Sequence, residues 1–269
     1  MLWALLGFIG VFVGAFGTLI GAAGGFLLVP ILLLLYPQDS PNTITGITLT
    51  VAFFNALSGS IAYGRLRRID YRSGLFFSMA STPGAVIGAS ITGFLSRGIF
   101  ETIFGSTILA AAIYLLIRPY RKYTGSAIKP GHTSRQIQDA HGTVSTYSFG
   151  LAKGVAIAFG VGFISGLLGI GGGIIHVPAL TQLLGFPVHI ATATSHFVVA
   201  ITTLGAVTFH ALKGAFGAGI SRAAVLSAGA VIGAQFGARL SQRVSGTWII
   251  RLLAVGLAIV GARLLIAPF

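Results

Sequence analysis

The chain of 269 residues has no cysteine, and only 4 of its residues are acidic. Without cysteine there are no disulfides, no thiolate metal sites and no cysteine nucleophile. The acids are Asp39, Asp70, Glu101 and Asp139. Three fall in polar segments and only Glu101 opens an apolar one, so a cation pump built on buried carboxylates is poorly supported. Charge of either sign is scarce. Charged residues make up 8% of the chain, where a soluble domain carries about 25%.

Catalytic motifs are also missing. There is no HExxH metal motif, no paired carboxylates inside an apolar run and no P-loop. Ser165 in "GFISG" and Ser58 in "NALSG" lack the glycine two places before the serine that an intramembrane serine protease motif requires. The expectation is a protein that is not an enzyme and holds no metal or cofactor.

What is present is apolar surface. Hydrophobic residues make up 55% of the chain, and mean hydropathy is +0.93. One soluble core cannot hide that much, so the chain reads as an all-α polytopic membrane protein of the cell membrane, with the lipid bilayer as its surroundings. The formal charge is +13. Its placement argues against nucleic acid: Arg65, Arg67, Arg68 and Arg72 lie in one polar segment, and Arg118, Arg121, Lys122, Lys129 and Arg135 in another. Basic loops between apolar spans mark cytoplasmic faces.

Apolar segments run over 2–36, 44–64, 74–95 and 98–118, and again over 149–185, 190–212, 220–240 and 246–267. The first is too long for a signal peptide and is expected to be retained. The chain thus divides into a first transmembrane repeat (1–118), a polar, basic linker (119–148) expected in the cytoplasm, and a second repeat (149–269). The later three segments of each half have about the 20 residues a spanning helix needs. The first segment of each half is far longer, and as one helix would exceed roughly 50 Å. It must break. "GTLIGAAGGFLLVP" at Gly17–Pro30 and "SGLLGIGGGIIHVP" at Ser165–Pro178 mark where. Pro30 and Pro178 stand 148 residues apart, and "GAVIGA" at Gly84–Ala89 recurs at Gly229–Ala234. The halves therefore read as a duplication, each with about four to five spans, or eight to ten crossings in all. One net crossing by the broken segment gives parallel halves; two give inverted halves. GAVIGA suits close helix packing, with a ligand contact as the other reading.

A helix that restarts inside a membrane presents unpaired N–H groups and a partial positive charge, an anion site that glycine lets a ligand approach. Gly24, Gly25, Gly171, Gly172 and Gly173 fit that description. Polar residues follow in the next spans: Thr48 and Asn55 in the first half, Thr194, Ser195 and His196 in the second. Such hydroxyls and amides can donate to an oxyanion, although serine and threonine in helices also bond their own backbone. His176 and His196 have no counterpart in the other half; a histidine there can meet an anion or carry a coupling proton, or else bond across helices.

The pair "GAAGGFLLVP" and "GIGGGIIHVP", each followed by a span bearing threonine or serine, resembles the TauE/SafE sulfite-exporter family, the TSUP permeases. "RRIDYRSGLFFSMASTPGAVIGA" is similar to that family's basic loop, acidic residue and Pro-Gly-x-x-x-Gly stretch. The resemblance spans the chain apart from the linker, which is longer than usual. The second half has Ala228 where the first has Pro83. It implies transport of small sulfur-containing anions such as sulfite, thiosulfate or organosulfonates. The absence of cysteine separates the chain from thiosulfate channels that use thiols. The expected mechanism is alternating access, with the oxyanion on the glycine amides and on Thr48, Asn55, Thr194, Ser195, His196 and His176. A passive anion channel and a non-transporting scaffold are the alternatives.

Overall fold

The computed structural model describes residues 2–117, 131–214 and 219–266. The helices of the first half are α1 (Leu2–Ile20), α2 (Gly25–Leu35), α3 (Pro41–Arg65), α4 (Tyr71–Thr92) and α5 (Arg97–Ile117). A two-stranded hairpin follows, β1 (Thr133–Gln138) and β2 (Val144–Phe149). Then come α6 (Leu151–Leu168), α7 (Gly173–Leu183, α-helical to Pro178 and π-helical over Ala179–Leu183), α8 (Val188–Leu212), α9 (Ile220–Leu240) and α10 (Gly246–Ile266). Among the described residues, six helices are long and apolar enough to cross a membrane, namely α1, α3, α4, α6, α8 and α9. Their outer faces leave Phe8, Phe12, Ile61, Met79 and Phe236 exposed, as a lipid-facing surface requires.

Local signals set the element starts. Ser40 caps α3 through the Thr43 amide, with Pro41 in the first turn. Asp70 caps α4 through the Ser73 amide. Each broken helix turns back on itself. Phe16 and Phe26 come within 6.5 Å, ring to ring, and Gly24 lies against Val13. Beyond α2, Asp39 pairs with Arg222 at the start of α9. α1 and α2 thus enter and leave on one face. α6 and α7 repeat this on the other: Gly172 lies against Ser165 and Val161, and Leu184 against Gly154.

The two halves interlock. Gly10 and Gly14 of α1 lie against Leu226 and Ala230 of α9, and Gly237 of α9 against Ala15 and Thr18, so α1 and α9 run parallel. Gly154, Gly162 and Gly166 of α6 lie against Phe77, Ser81 and Ala85 of α4, again parallel. α3 and α8 run antiparallel, with Tyr63 beside His196 and Leu49 clustered with Ala206. Corresponding helices therefore point in opposite directions, the inverted arrangement of five helices per half. α2 lies at the centre of the main core, where Phe26, Leu28, Val29, Leu32 and Leu33 meet Phe100, Phe104 and Ile108 of α5 and Ile249, Leu253 and Leu257 of α10.

The hairpin stands in the linker region. Tyr147 and Phe149 are buried against Phe77 and Phe186. Tyr147 donates to Asp70 (2.8 Å), Arg135 pairs with the same carboxylate at 3.6 Å, and Arg68 pairs with Asp139 at 3.3 Å. Partial burial works against the Asp139 carboxylate. The Thr143 and His141 amides and the Arg68 guanidinium outweigh it and hold its pKa below the ordinary value.

Candidate functional site

The site begins with backbone conformation. Gly21, Ala23 and Gly24 have φ of 84°, 51° and 75°; Gly169, Gly171 and Gly172 have 71°, 74° and 75°. These left-handed residues reverse the chain at matching places in the two halves. The two breaks lie back to back. A Cβ on Gly25 would stand 2.7 Å from the Ile170 carbonyl oxygen, and one on Gly173 would overlap the Gly21 carbonyl oxygen. Only hydrogen side chains permit this crossing.

Both restarted helices begin at this crossing. The hydrogen-bond ladder of α2 resumes with Leu27 donating to Gly24, and that of α7 with Ile175 donating to Gly172. Neither Gly24 nor Gly172 supplies a side-chain cap. First-turn amides thus lack partners from their own helices. The residues of both breaks are buried.

Polar side chains ring the crossing unevenly. At the first break, Thr18 donates to Asn55 Oδ1 (2.8 Å), its hydroxyl lies 3.3 Å from His196 Nε2, and its carbonyl accepts from Tyr63 (2.8 Å). Ser195 donates to the Gly21 carbonyl at 3.1 Å. Gly59 makes room for His196, whose imidazole a Cβ there would strike. Asn55, Ser195 and His196 are thus brought together. At the second break, Thr48 lies against Gly169, its hydroxyl donating to Ile44 and Thr45 of its own helix. His176 is buried on α7 with its ring edge-on to Phe77, 6.0 Å away. Thr194 stands apart: its hydroxyl accepts from the Asp70 amide at 3.0 Å, where α4 begins.

Several buried polar atoms have no hydrogen-bond partner among the described residues: Asn55 Nδ2, Ser165 Oγ, Thr192 Oγ1 and both ring nitrogens of His176. Ser165 Oγ would lie 3.2 Å from a Cβ on Gly172, and Thr192 lies against Gly21. Leaving such an atom unsatisfied costs about 1–3 kcal/mol, and native proteins rarely tolerate it without water or a ligand. Thr18, Tyr63 and Ser165 are the residues that sequence reasoning missed. Thr18 and Ser165 sit inside the glycine-rich runs read as breaks, where the glycine amides and not the neighbouring hydroxyls carried the expectation, and Tyr63 belongs to no motif.

Comparison with known proteins identifies the family. The family model described as sulfite exporter TauE/SafE matches residues 6–264. A probable membrane transporter protein of Bacillus subtilis, YunE, is 32% identical, covering 98% of both chains. A probable membrane transporter protein of Methanocaldococcus jannaschii is 25% identical over 99% of this chain and 96% of its own. No solved structure matches the chain. A family match of this extent, on a bundle of membrane-length helices, means that the chain is a multi-pass membrane transporter, not an enzyme, and belongs to the sulfite exporter TauE/SafE family.

Proposed function

We propose that the chain moves small sulfur-containing oxyanions across the membrane by alternating access, binding them where the two glycine breaks cross. One observation carries this reading: two uncapped helix starts and the partnerless Ser165, Thr192 and Asn55 groups meet at one buried place. Helix starts attract negative charge, and hydroxyl and amide donors can hold an oxyanion without trapping it by a fixed opposite charge. Burial of both breaks suits an occluded state between two access faces, and inverted halves suit the exchange of one face for the other. Asn55, Ser195 and His196 line the first break in this reading, Thr48 and His176 the second, with Gly24, Gly25, Gly171, Gly172 and Gly173 supplying amides. A proton on a histidine is the candidate coupling ion. Thr194 belongs to the support of α4.

The test is sulfite flux in proteoliposomes carrying the paired substitutions Ser165→Ala and Thr192→Val. Each removes a hydroxyl and little volume. A hydrogen bond to a charged group is worth about 1.5–3 kcal/mol, so flux at low substrate should fall about tenfold or more while thermal unfolding in detergent stays unchanged. Undiminished flux would remove these groups from the site.

A further inference from the structure

The charge of the site follows from what surrounds it. Between Met1 and Arg65 the only formally charged residue is Asp39, in the loop after α2; between Lys153 and Lys213 there is none. α1, α2, α3, α6, α7 and α8 build the crossing, and none of them brings a lysine, arginine or carboxylate to it; Lys153 of α6 stands exposed in the first turn of that helix, at its far end from Ser165. His176 and His196 are the titratable groups at the breaks, and while both are neutral the positive potential there comes from backbone. Each helix start is equivalent to roughly half a positive charge, so the starts of α2 and α7 together supply about one. Two neutral, fully buried side chains lie against the crossing, Ser165 with its hydroxyl toward Gly172 and Thr192 with its methyl toward Gly21, at 0% and 1% exposure, and neither hydroxyl has a partner among the described residues.

Such a site matches one negative charge and not two. The Born cost of desolvating an ion rises with the square of its charge, so a dianion costs roughly four times as much to bring in as a monoanion of the same size. Two half-charges and neutral donors offset the smaller cost far better than the larger.

We propose that the site selects monovalent sulfur oxyanions, namely hydrogensulfite and organosulfonates, over the dianions sulfite, thiosulfate and sulfate. This rests on the binding of sulfur oxyanions at the crossing proposed above, and adds the charge state that is bound. The proton of hydrogensulfite finds an acceptor in the partnerless hydroxyl oxygens or in carbonyls released by the breaks. Selection by charge also gives sulfite transport a pH dependence that originates in the substrate.

The experiment measures thermal stabilisation of the purified full-length protein by methanesulfonate, sulfite, thiosulfate and sulfate, at pH values on both sides of the second ionisation of sulfurous acid. Ligand that binds only native protein raises stability in proportion to its occupancy. Methanesulfonate, a monoanion throughout, should stabilise equally at every pH; stabilisation by it that falls as pH rises would place a proton on His176 or His196 and overturn the backbone-only charge of the site. Thiosulfate and sulfate should bind at least about tenfold more weakly. The apparent affinity for total sulfite should weaken about tenfold per pH unit above that ionisation, following the hydrogensulfite fraction. Dianions that stabilise as well as methanesulfonate, or sulfite affinity that rises with pH, overturn the charge selection and leave sulfur-oxyanion binding standing. If none of the four stabilises the protein and none is carried in proteoliposomes, the substrate reading falls, and the selection with it.

Discussion

Ala23 carries a methyl group where its counterpart Gly171 carries none, and both hold left-handed backbone, at φ of 51° and 74°. For an L-residue that conformation costs about 1–2 kcal/mol. Replacing alanine by glycine relieves it, against roughly 0.4–1 kcal/mol of added chain entropy in the unfolded state. The variant also loses a buried methyl that packs with Ala52, Ala56 and Val199, worth about 0.8 kcal/mol, so Ala23→Gly should change stability by less than about 1 kcal/mol. Gly171→Ala should lower it by about 1–2 kcal/mol, because its new Cβ also stands 2.9 Å from Ala52 Cβ. Thermal unfolding of the two variants in detergent checks the pair, and a Gly171→Ala protein as stable as the parent contradicts it. The same scale shows what the sequence made legible. The glycines of both breaks were readable from an apolar run too long for one helix. Thr192, Ser195 and His196 share one face of α8 at spacings of three and four residues, and that face meets the first break. Thr194, one position from Ser195, looks elsewhere and bonds to the Asp70 amide. Residue type alone could not separate these neighbours, since which face meets the break depends on helices far away in the chain.

At the scale of elements, the GAVIGA repeats are packing surfaces. A Cβ on Gly88 would overlap the Phe163 carbonyl oxygen of α6, and one on Gly233 the Val11 carbonyl oxygen of α1. The repeated motif thus joins α4 to α6 and α9 to α1, each bond crossing between halves. Composition showed that these helices pack closely; it did not show with which partner, because a small-residue stripe fits any other. Gly88→Ala and Gly233→Ala must each push two backbones apart, an overpacking cost of about 1–3 kcal/mol. Gly160 of α6 is the control: a Cβ there meets nothing within 4 Å among the described residues, and Gly160→Ala should be neutral or stabilising by about 0.5–1 kcal/mol. Equal unfolding temperatures for all three variants would mean that the close crossings contribute nothing. The hairpin was the element least legible in sequence. β1, "TSRQIQ", is mostly polar and alternates half-buried with exposed residues, so it reads as linker until Tyr147, Arg135 and the buried Asp70 carboxylate are seen together.

At the scale of the whole molecule, the inverted arrangement sorts the charges. The face holding the hairpin collects Arg65, Arg67, Arg68, Arg72, Arg135, Lys153, Arg239 and Arg243, at the ends of α3, α6 and α9 and in the loops beside them. The opposite face, where α5 and α9 begin and α8 and α10 end, has Arg97, Lys213, Arg222 and, in the last turn of α10, Arg263. Two of these are engaged within the fold: Arg97 pairs with Glu101 and donates to the Leu33 and Pro37 carbonyls at the foot of α2, and Arg222 pairs with Asp39. The charge bias therefore rests on the hairpin face, and the positive-inside rule puts that face in the cytoplasm. Because the chain has no cysteine, a single introduced thiol reports its side without background. Gln136→Cys on the exposed side of β1 and Lys213→Cys at the exposed end of α8 are far from both breaks. In intact cells an impermeant maleimide should label Lys213→Cys and spare Gln136→Cys until the membrane is opened. Labelling of Gln136→Cys from outside, with Lys213→Cys protected, would reverse the orientation and place the hairpin at the external mouth of α6 and α7.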